Sequence, residues 1–326
     1  MKPIEQLSTQ ERNDLFQYVA DEKKIDNVII VEKDFWICWV LSKIFSDGKL
    51  KQELHFKGGT SLSKIFNVIE RFSEDIDLIL NWDILDKDDD PNKDRSVNQQ
   101  DKFNKKIESQ AKEYISTELK SKIESVFGGV CAVSSDAEDK HILYVTYPAS
   151  CKKHKYIRPE IKLEIGPLAS WLPYKEYPIV SYVSEINPEF ATDKVLIPTI
   201  EAERTFWEKA TILHQEYHRK GQTPLRYSRH YYDLFKMANS EIKNKALKNI
   251  GLLKDVVAFK DKFYHCSWAK YEDAKPGSFH LFPNNDNLDT LKNDYNEMKG
   301  MIFGDYPVWD EILKAMENLE KEINSL

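Results

Sequence analysis

Apolar positions follow two different rhythms along the chain, and the change of rhythm divides it. In the first fifty residues they recur at helical spacing: Leu15, Phe16 and Val19 form one face behind Ser8, and Glu11 completes a capping-box pattern with that serine. A second segment, 28–45, is apolar almost throughout and stops at Asp47-Gly48. Residues 53–57 read as a short strand running into Gly58-Gly59, with a helix from Thr60 to about Glu70. Residues 75–80 alternate at their start and become continuously apolar at their end, which predicts a strand. Residues 98–126 look helical. Three or four strands follow, at 130–134, 141–147, 156–165 and 179–186, with Gly128-Gly129 placed to turn the chain into the first. From Pro198, placed to open a helix, the pattern is helical over 199–217 and 227–238. It stays so to Leu326, apart from a loop at 275–287 rich in Pro, Gly and Asn.

This order predicts an α+β fold: a mixed sheet flanked by helices over residues 1–190, then a helical domain over 191–326. No internal repeat interrupts it. With 41% apolar and 31% charged residues the composition is that of an ordinary soluble globular chain. The longest apolar runs, such as 35–41, are far too short to cross a bilayer, and the polar start lacks the apolar stretch of a secretory signal. Cytoplasm is the expected compartment, with no membrane partner. Four scattered cysteines, Cys38, Cys131, Cys151 and Cys266, form no Cys-x-x-Cys pair, which points to reduced thiols rather than a zinc knuckle or disulfide framework. The loop 83–95 gathers Asp86, Asp88, Asp89, Asp90 and Asp94 without EF-hand spacing and reads as solvated. A net charge of −7 argues against a protein coated for non-specific nucleic-acid binding. Two basic clusters leave room for a local groove: Lys152-Lys153-His154-Lys155 with Arg158 and Lys162, and His218-Arg219-Lys220 with Arg226, Arg229 and His230.

The chemistry-bearing stretch is a strand, Gly58-Gly59-Thr60-Ser61, a helix, then Ser73-Glu74-Asp75-Ile76-Asp77. Two glycines at a strand-to-helix turn let backbone approach a ligand closely, and the orphan amides of a helix's first turn favour phosphate. Lys57 adds a positive charge just before the turn. Alternation puts Asp75 and Asp77 on one face of their strand and Ile76 on the other. Two carboxylates so close repel each other unless they share divalent cations, and magnesium favours a few carboxylates plus phosphate oxygens. Together the turn and the acid pair suit an NTP and Mg2+ or Mn2+; the competing reading is a surface strand end with unpaired acids. His214-Gln215-Glu216-Tyr217-His218 resembles a zinc-protease helix only superficially, because Gln215 stands where that motif needs glutamate.

The run Phe56-Lys57-Gly58-Gly59-Thr60-Ser61-Leu62, followed by Arg71-Phe72-Ser73-Glu74-Asp75-Ile76-Asp77-Leu78, resembles the AbiEii toxin family of bacterial nucleotidyltransferases. Val31-Glu32-Lys33-Asp34-Phe35-Trp36, Thr205-Phe206-Trp207-Glu208-Lys209-Ala210 and Arg229-His230-Tyr231-Tyr232-Asp233-Leu234 look like further motifs of that family in the right order, as does the close around Leu291–Met298 and Tyr306-Pro307-Val308-Trp309. The resemblance implies a DNA polymerase β-like fold and a toxin of a type IV toxin–antitoxin or phage-abortive system. It implies that Asp75 and Asp77 ligate magnesium and that Gly58, Gly59 and Ser61 hold the nucleotide phosphates. A third carboxylate is implied from a neighbouring strand. Glu164 is the candidate, sharing a strand face with Lys162, and a cross-strand salt bridge between those two is the competing reading. The resemblance alone raises Lys209 above a helix-surface charge, as a cation for the phosphates, and Asp233 as its orienting or catalytic partner in a cleft between the two halves. It implies an RNA acceptor, particularly the 3′ end of tRNA, a cognate antitoxin, and silencing by phosphorylation at Ser73, whose competing reading is a turn-closing polar residue. The alternatives in other classes are an NTP-binding or interaction module without transfer, and transfer to a small molecule or protein.

Overall fold

The computed structural model describes residues 3–73, 75–151, 158–190 and 195–326. The chain divides into two compact units, residues 1–65 with 73–200 and residues 66–72 with 201–326.

The first unit opens on helix α1, Thr9–Lys23, whose N-cap Ser8 accepts the Glu11 amide while the Glu11 carboxylate accepts the Ser8 amide. This is the capping box expected from the sequence. Helix α2, Val28–Ser46, is buried over nearly its whole length, as a helix apolar all round must be. Its buried acids are satisfied. Glu32 accepts the Ser150 amide at 2.5 Å and the Ser150 hydroxyl at 2.7 Å, and Asp34 accepts the Tyr182 amide at 2.7 Å. A short helix, α3 (Gly48–Glu53), capped by Asp47, leads into strand β1, Leu54–Lys57. Helix α4 spans Gly58–Lys64 and strand β2 spans Asp75–Leu80. The predicted helix to Glu70 therefore starts two residues early and stops six residues short.

Helices α5 (Val97–Tyr114) and α6 (Lys120–Phe127) fill the expected 98–126 segment, joined by a π-helical turn at Ile115–Leu119. Strands β3 (Ala132–Ser135), β4 (Ile142–Thr146) and β5 (Glu160–Gly166) follow. The next expected strand, 179–186, is not one. The strand there is β6, Tyr174–Pro178, and Tyr182–Ile186 form helix α7, whose N-cap Ser181 accepts the Ser184 amide. Pro198 does not open a helix either. It lies in strand β7, Leu196–Ile200, opposite Glu176, and the helix begins at Ala202. The β1–β7 ladder is centred on Phe56 and Thr199, so a proline beside it forfeits little pairing.

The sheet order is β3-β4-β5-β2-β1-β7-β6, with β2–β5 and β1–β7 parallel and the other pairs antiparallel. The register aligns Phe56 with Leu78 and Ile76 with Leu163, two rows of one apolar face that is buried, with α2 packed against β5 and β7. Each such side chain stabilises the fold by roughly 1.5–3 kcal/mol relative to exposure. The alternate residues of these strands are left for the polar face.

In the second unit, helices α8 (Ala202–Tyr217), α9 (Ser228–Ala238), α10 (Glu241–Lys248) and α11 (Ile250–Phe263) pack around α8 and α9. Helices α12 (Leu288–Glu297) and α13 (Trp309–Asn324) cover α9; α13 presents Ile312, Met316, Leu319 and Ile323 at helical spacing. Residues 66–72 are held there by backbone bonds, Phe72 N–H to the Met301 carbonyl at 2.7 Å and Phe303 N–H to the Glu70 carbonyl at 3.0 Å. Among the described residues no helix is long and apolar enough to cross a membrane, and all four cysteines are free thiols.

Candidate active site

Strand β1 delivers Lys57 directly beside Asp77 of β2, and the chain turns into α4 at the next residue. Gly58 adopts φ +83°, a left-handed conformation that glycine enters without penalty. A Cβ built at this position would lie 1.9 Å from Oδ2 and 2.6 Å from Cγ of Asp77. Glycine is thus required twice, for the turn and for the carboxylate that lies against it. The turn is fixed from within: Ser61 Oγ donates to the Gly58 carbonyl at 2.8 Å, and Thr60 Oγ1 donates to the Asp75 carbonyl. Both hydroxyls are buried and engaged, so the groups that Gly58, Gly59, Thr60 and Ser61 can turn toward a phosphate are their backbone amides.

The acids follow from strand alternation. Asp75 and Asp77 are half-buried and Ile76 is fully buried on the opposite face. In the parallel β2–β5 pair Asp75 stands beside Lys162 and Asp77 beside Glu164. One row across the sheet therefore reads Lys57, Asp77, Glu164. Lys162 Nζ is ion-paired to Glu164 Oε1, the salt bridge that was the competing reading for these two residues. Burial alone would lower the Lys162 ammonium; the Glu164 carboxylate, with Asp75 nearby, outweighs it and raises its pKa. Magnesium is satisfied by one or two carboxylates when phosphate oxygens and water complete its octahedron, so the Asp75/Asp77 pair fits such an ion in donor chemistry. Among the described residues no group of three His, Cys, Asp or Glu side chains converges on a common point.

In the helical unit Lys209 of α8 and Asp233 of α9 meet each other and Arg71. Asp233 Oδ1 accepts Arg71 Nε at 2.6 Å, and its Oδ2 accepts Arg71 Nη2 and Lys209 Nζ, each at 2.7 Å. All three residues are buried. Burial by itself would raise the Asp233 carboxyl, but Arg71 and Lys209 prevail and hold it well below the usual carboxylate range. Burial pulls the Lys209 ammonium below its ordinary value, Asp233 opposing and Arg71 adding repulsion. A carboxylate so held is a fixed anion, suited to orienting cations rather than to collecting a proton.

The family model described as nucleotidyl transferase AbiEii toxin, type IV TA system, matches residues 39–315. The chain belongs to this AbiEii family. It is a nucleotidyltransferase of toxin type. Among solved structures it is similar to the nucleotidyltransferase toxin MenT4 from Mycobacterium tuberculosis H37Rv, at 17% identity and a TM-score of 0.42, over 95% of this chain and 97% of that one. A search of curated proteins gives no match.

Other candidate residues of this AbiEii member divide cleanly. Ser73 is half-buried, two residues ahead of Asp75. Lys152-Lys153-His154-Lys155 lie outside the described residues, and Arg158 is exposed, 3.6 Å from Glu160. In the second basic cluster Arg219 is committed to Glu216, at 2.6 and 2.9 Å, and sits over the Trp268 ring. His214 has both ring nitrogens engaged, one with the Lys270 carbonyl at 3.0 Å and one with the His280 amide at 3.1 Å, which removes it as a metal ligand. Two residues gain importance that their sequence context did not give them. Arg71 lies in the quoted motif but had no assigned partner. Lys64, the last residue of α4, is bonded to the buried Asp34 of α2 at 2.5 Å, with the Tyr182 ring 4.0 Å away. The one signal available was that charged residues sit inside an otherwise apolar helix.

Proposed function

We propose that this chain transfers a nucleoside monophosphate from an NTP to an acceptor hydroxyl of RNA, the 3′ end of tRNA above all, releasing pyrophosphate and blocking translation. The observation that carries the reading is the contact between the Gly58 backbone and the Asp77 carboxylate, which brings a phosphate-binding turn and an acid together. Asp75 and Asp77 would hold magnesium or manganese, with Glu164 as the adjoining acid once it releases Lys162. The cation's contribution when bound is to lower the acceptor hydroxyl's pKa and to neutralise charge on the leaving pyrophosphate.

The chain's own groups account for the rest. Backbone amides of the Gly58–Ser61 turn receive phosphate oxygens, and Lys57 and Lys162 add fixed positive charge on the same sheet face. Lys209 serves the phosphates as a cation, and Asp233 positions it while anchoring Arg71, four residues before Asp75. A phosphate on Ser73 would add about −1.5 to −2 charge next to these acids and repel an incoming triphosphate. The toxin–antitoxin family supports an antitoxin partner, and a cytoplasmic site of action is part of the same proposal.

The test is incubation of the purified chain with magnesium, each labelled NTP and total tRNA. Label should enter the RNA fraction and be absent with Asp77→Asn; an RNA fraction that stays unlabelled with all four NTPs refutes the reading. Magnesium-dependent NTP binding without turnover would instead identify a module that binds but does not transfer, a reading favoured by the Lys162–Glu164 pairing.

A further inference from the structure

The polar face of the sheet carries a second feature beside the acid row. On β1, His55 lies two residues before Lys57 and so on the same face, about 6.6 Å along the strand. Phe56 is level with Thr199 on β7, which assigns Pro198 to the His55 face together with its β6 partner Glu176 and, two residues along, Tyr174. A cavity of about 570 Å3 opens here, lined among others by His55, Trp171, Tyr174, Lys51 and Glu176.

Its walls are aromatic. The His55 ring centroid lies 4.0 Å from that of Trp171 and 4.1 Å from that of Tyr174, both pairs tilted. His55 is buried, and burial pulls its imidazole down to about 4 against a backbone hydrogen bond with Trp171, so the ring is neutral at pH 7 and offers a π surface rather than a cation. Tyr174 is 42% exposed on the edge strand, a large ring that the core does not claim. At the rim Lys51 and Glu176 form a 3.1 Å ion pair with both partners accessible, a donor and an acceptor side by side. Aromatic walls select a flat π ring, the paired charges select one with a polar edge, and the volume falls in the range of small-molecule pockets.

We propose that this cavity is a nucleobase subsite adjoining the transfer site. Its place in catalysis rests on the nucleotidyl-transfer reading above, with the base belonging either to the NTP or to the acceptor's terminal nucleotides. Its existence as a base site does not rest on that reading.

The test uses the full chain and four nucleosides, adenosine, guanosine, cytidine and uridine, with ribose 5-phosphate as the baseless control, followed by titration calorimetry. At least one nucleoside should bind wild type and the transfer-deficient Asp77→Asn equally, and ribose 5-phosphate should not bind. Tyr174→Ala and Trp171→Ala should each weaken nucleoside binding by about 5- to 150-fold, the worth of one base–aromatic stack, while Tyr174→Phe keeps it. Tyr174 is exposed enough for its alanine variant to fold if the Trp171 variant does not. Unchanged affinity in folded Tyr174→Ala, equal binding of ribose 5-phosphate, or no nucleoside binding to wild type overturns the proposal. In the transfer assay, a rise in KM for NTP alone in Tyr174→Ala identifies the incoming base, and a rise in KM for RNA alone identifies the acceptor. If both KM values stay at wild-type level the subsite's place in the transfer reaction is refuted, whereas absence of transfer with nucleoside binding intact refutes only the reading on which that place rests.

Discussion

Replacing Gly58 with alanine reaches both the fold and the chemistry. Two costs follow from the geometry. The backbone at φ +83° is left-handed, which costs a residue with a Cβ roughly 1–2 kcal/mol of stability. The new methyl would also lie 1.9 Å from Asp77 Oδ2. Ordinary carbon contacts sit near 3.5 Å, so the carboxylate must retreat by on the order of 1.5 Å. Rotation can carry Oδ2 and Cγ away, but Asp77 Cβ, 3.0 Å from the new methyl, is fixed by strand β2, so the retreat also costs stability. It is expensive for catalysis, where a misplacement of about 1 Å can cost 100-fold.

Gly128 provides the control, since it too is left-handed, at φ +56°, but a Cβ there meets nothing within 4 Å. In urea unfolding Gly128→Ala should lose about 1–2 kcal/mol, and Gly58→Ala more, because it adds the Asp77 contact. Only Gly58→Ala should lose transfer of labelled NTP, by about 100-fold or more. Equal kcat/KM in the two variants, both near wild type, would show that the Asp77 carboxylate at this turn is not where the chemistry happens.

Two further outcomes follow from charges. Asp233→Asn leaves Arg71 and Lys209 buried without their anion and should destabilise the chain by roughly 3–5 kcal/mol at pH 7. Because the folded-state pKa of Asp233 is depressed, its stabilisation is complete above the unfolded value of about 3.9 and is lost as pH falls below it. The gap between wild type and variant in urea midpoints should hold at pH 5 to 7 and narrow below pH 4; a gap unchanged at pH 3 contradicts this assignment. Glu164→Gln removes an acid whose side chain is 42% exposed, so stability should move by less than about 1 kcal/mol. If Glu164 joins Asp75 and Asp77 at the metal, the half-saturating magnesium concentration for transfer should rise roughly tenfold, with kcat at saturating metal preserved. No shift would reduce Glu164 to the counter-ion of Lys162.

What the sequence disclosed and what it hid follow one physical distinction. Asp75 and Asp77 were readable because a period of two fixes the face of a side chain within a few residues, and Ser8 with Glu11 because a capping box is local. Strand β6 was missed because an exposed edge strand shows no apolar alternation, and β7 because Pro198 mimics a helix start. The helix expected to run to Glu70 was over-extended because residues 66–72 answer to the helical unit, through bonds to residues more than two hundred positions away. The Arg71–Asp233 pair lies 162 residues apart, so no window reveals it. Lys209 has the spacing of a helix-surface charge and is buried instead. The local signals thus define what the turn and acid pair can bind. Buried ion pairs such as Lys64–Asp34 and Arg71–Asp233 join residues far apart in the chain, and only the folded chain supplies those partners. Asp75→Asn and Asp77→Asn therefore probe the acids themselves, Gly58→Ala probes where the Asp77 carboxylate lies, and Asp233→Asn probes the buried charge cluster within the helical unit.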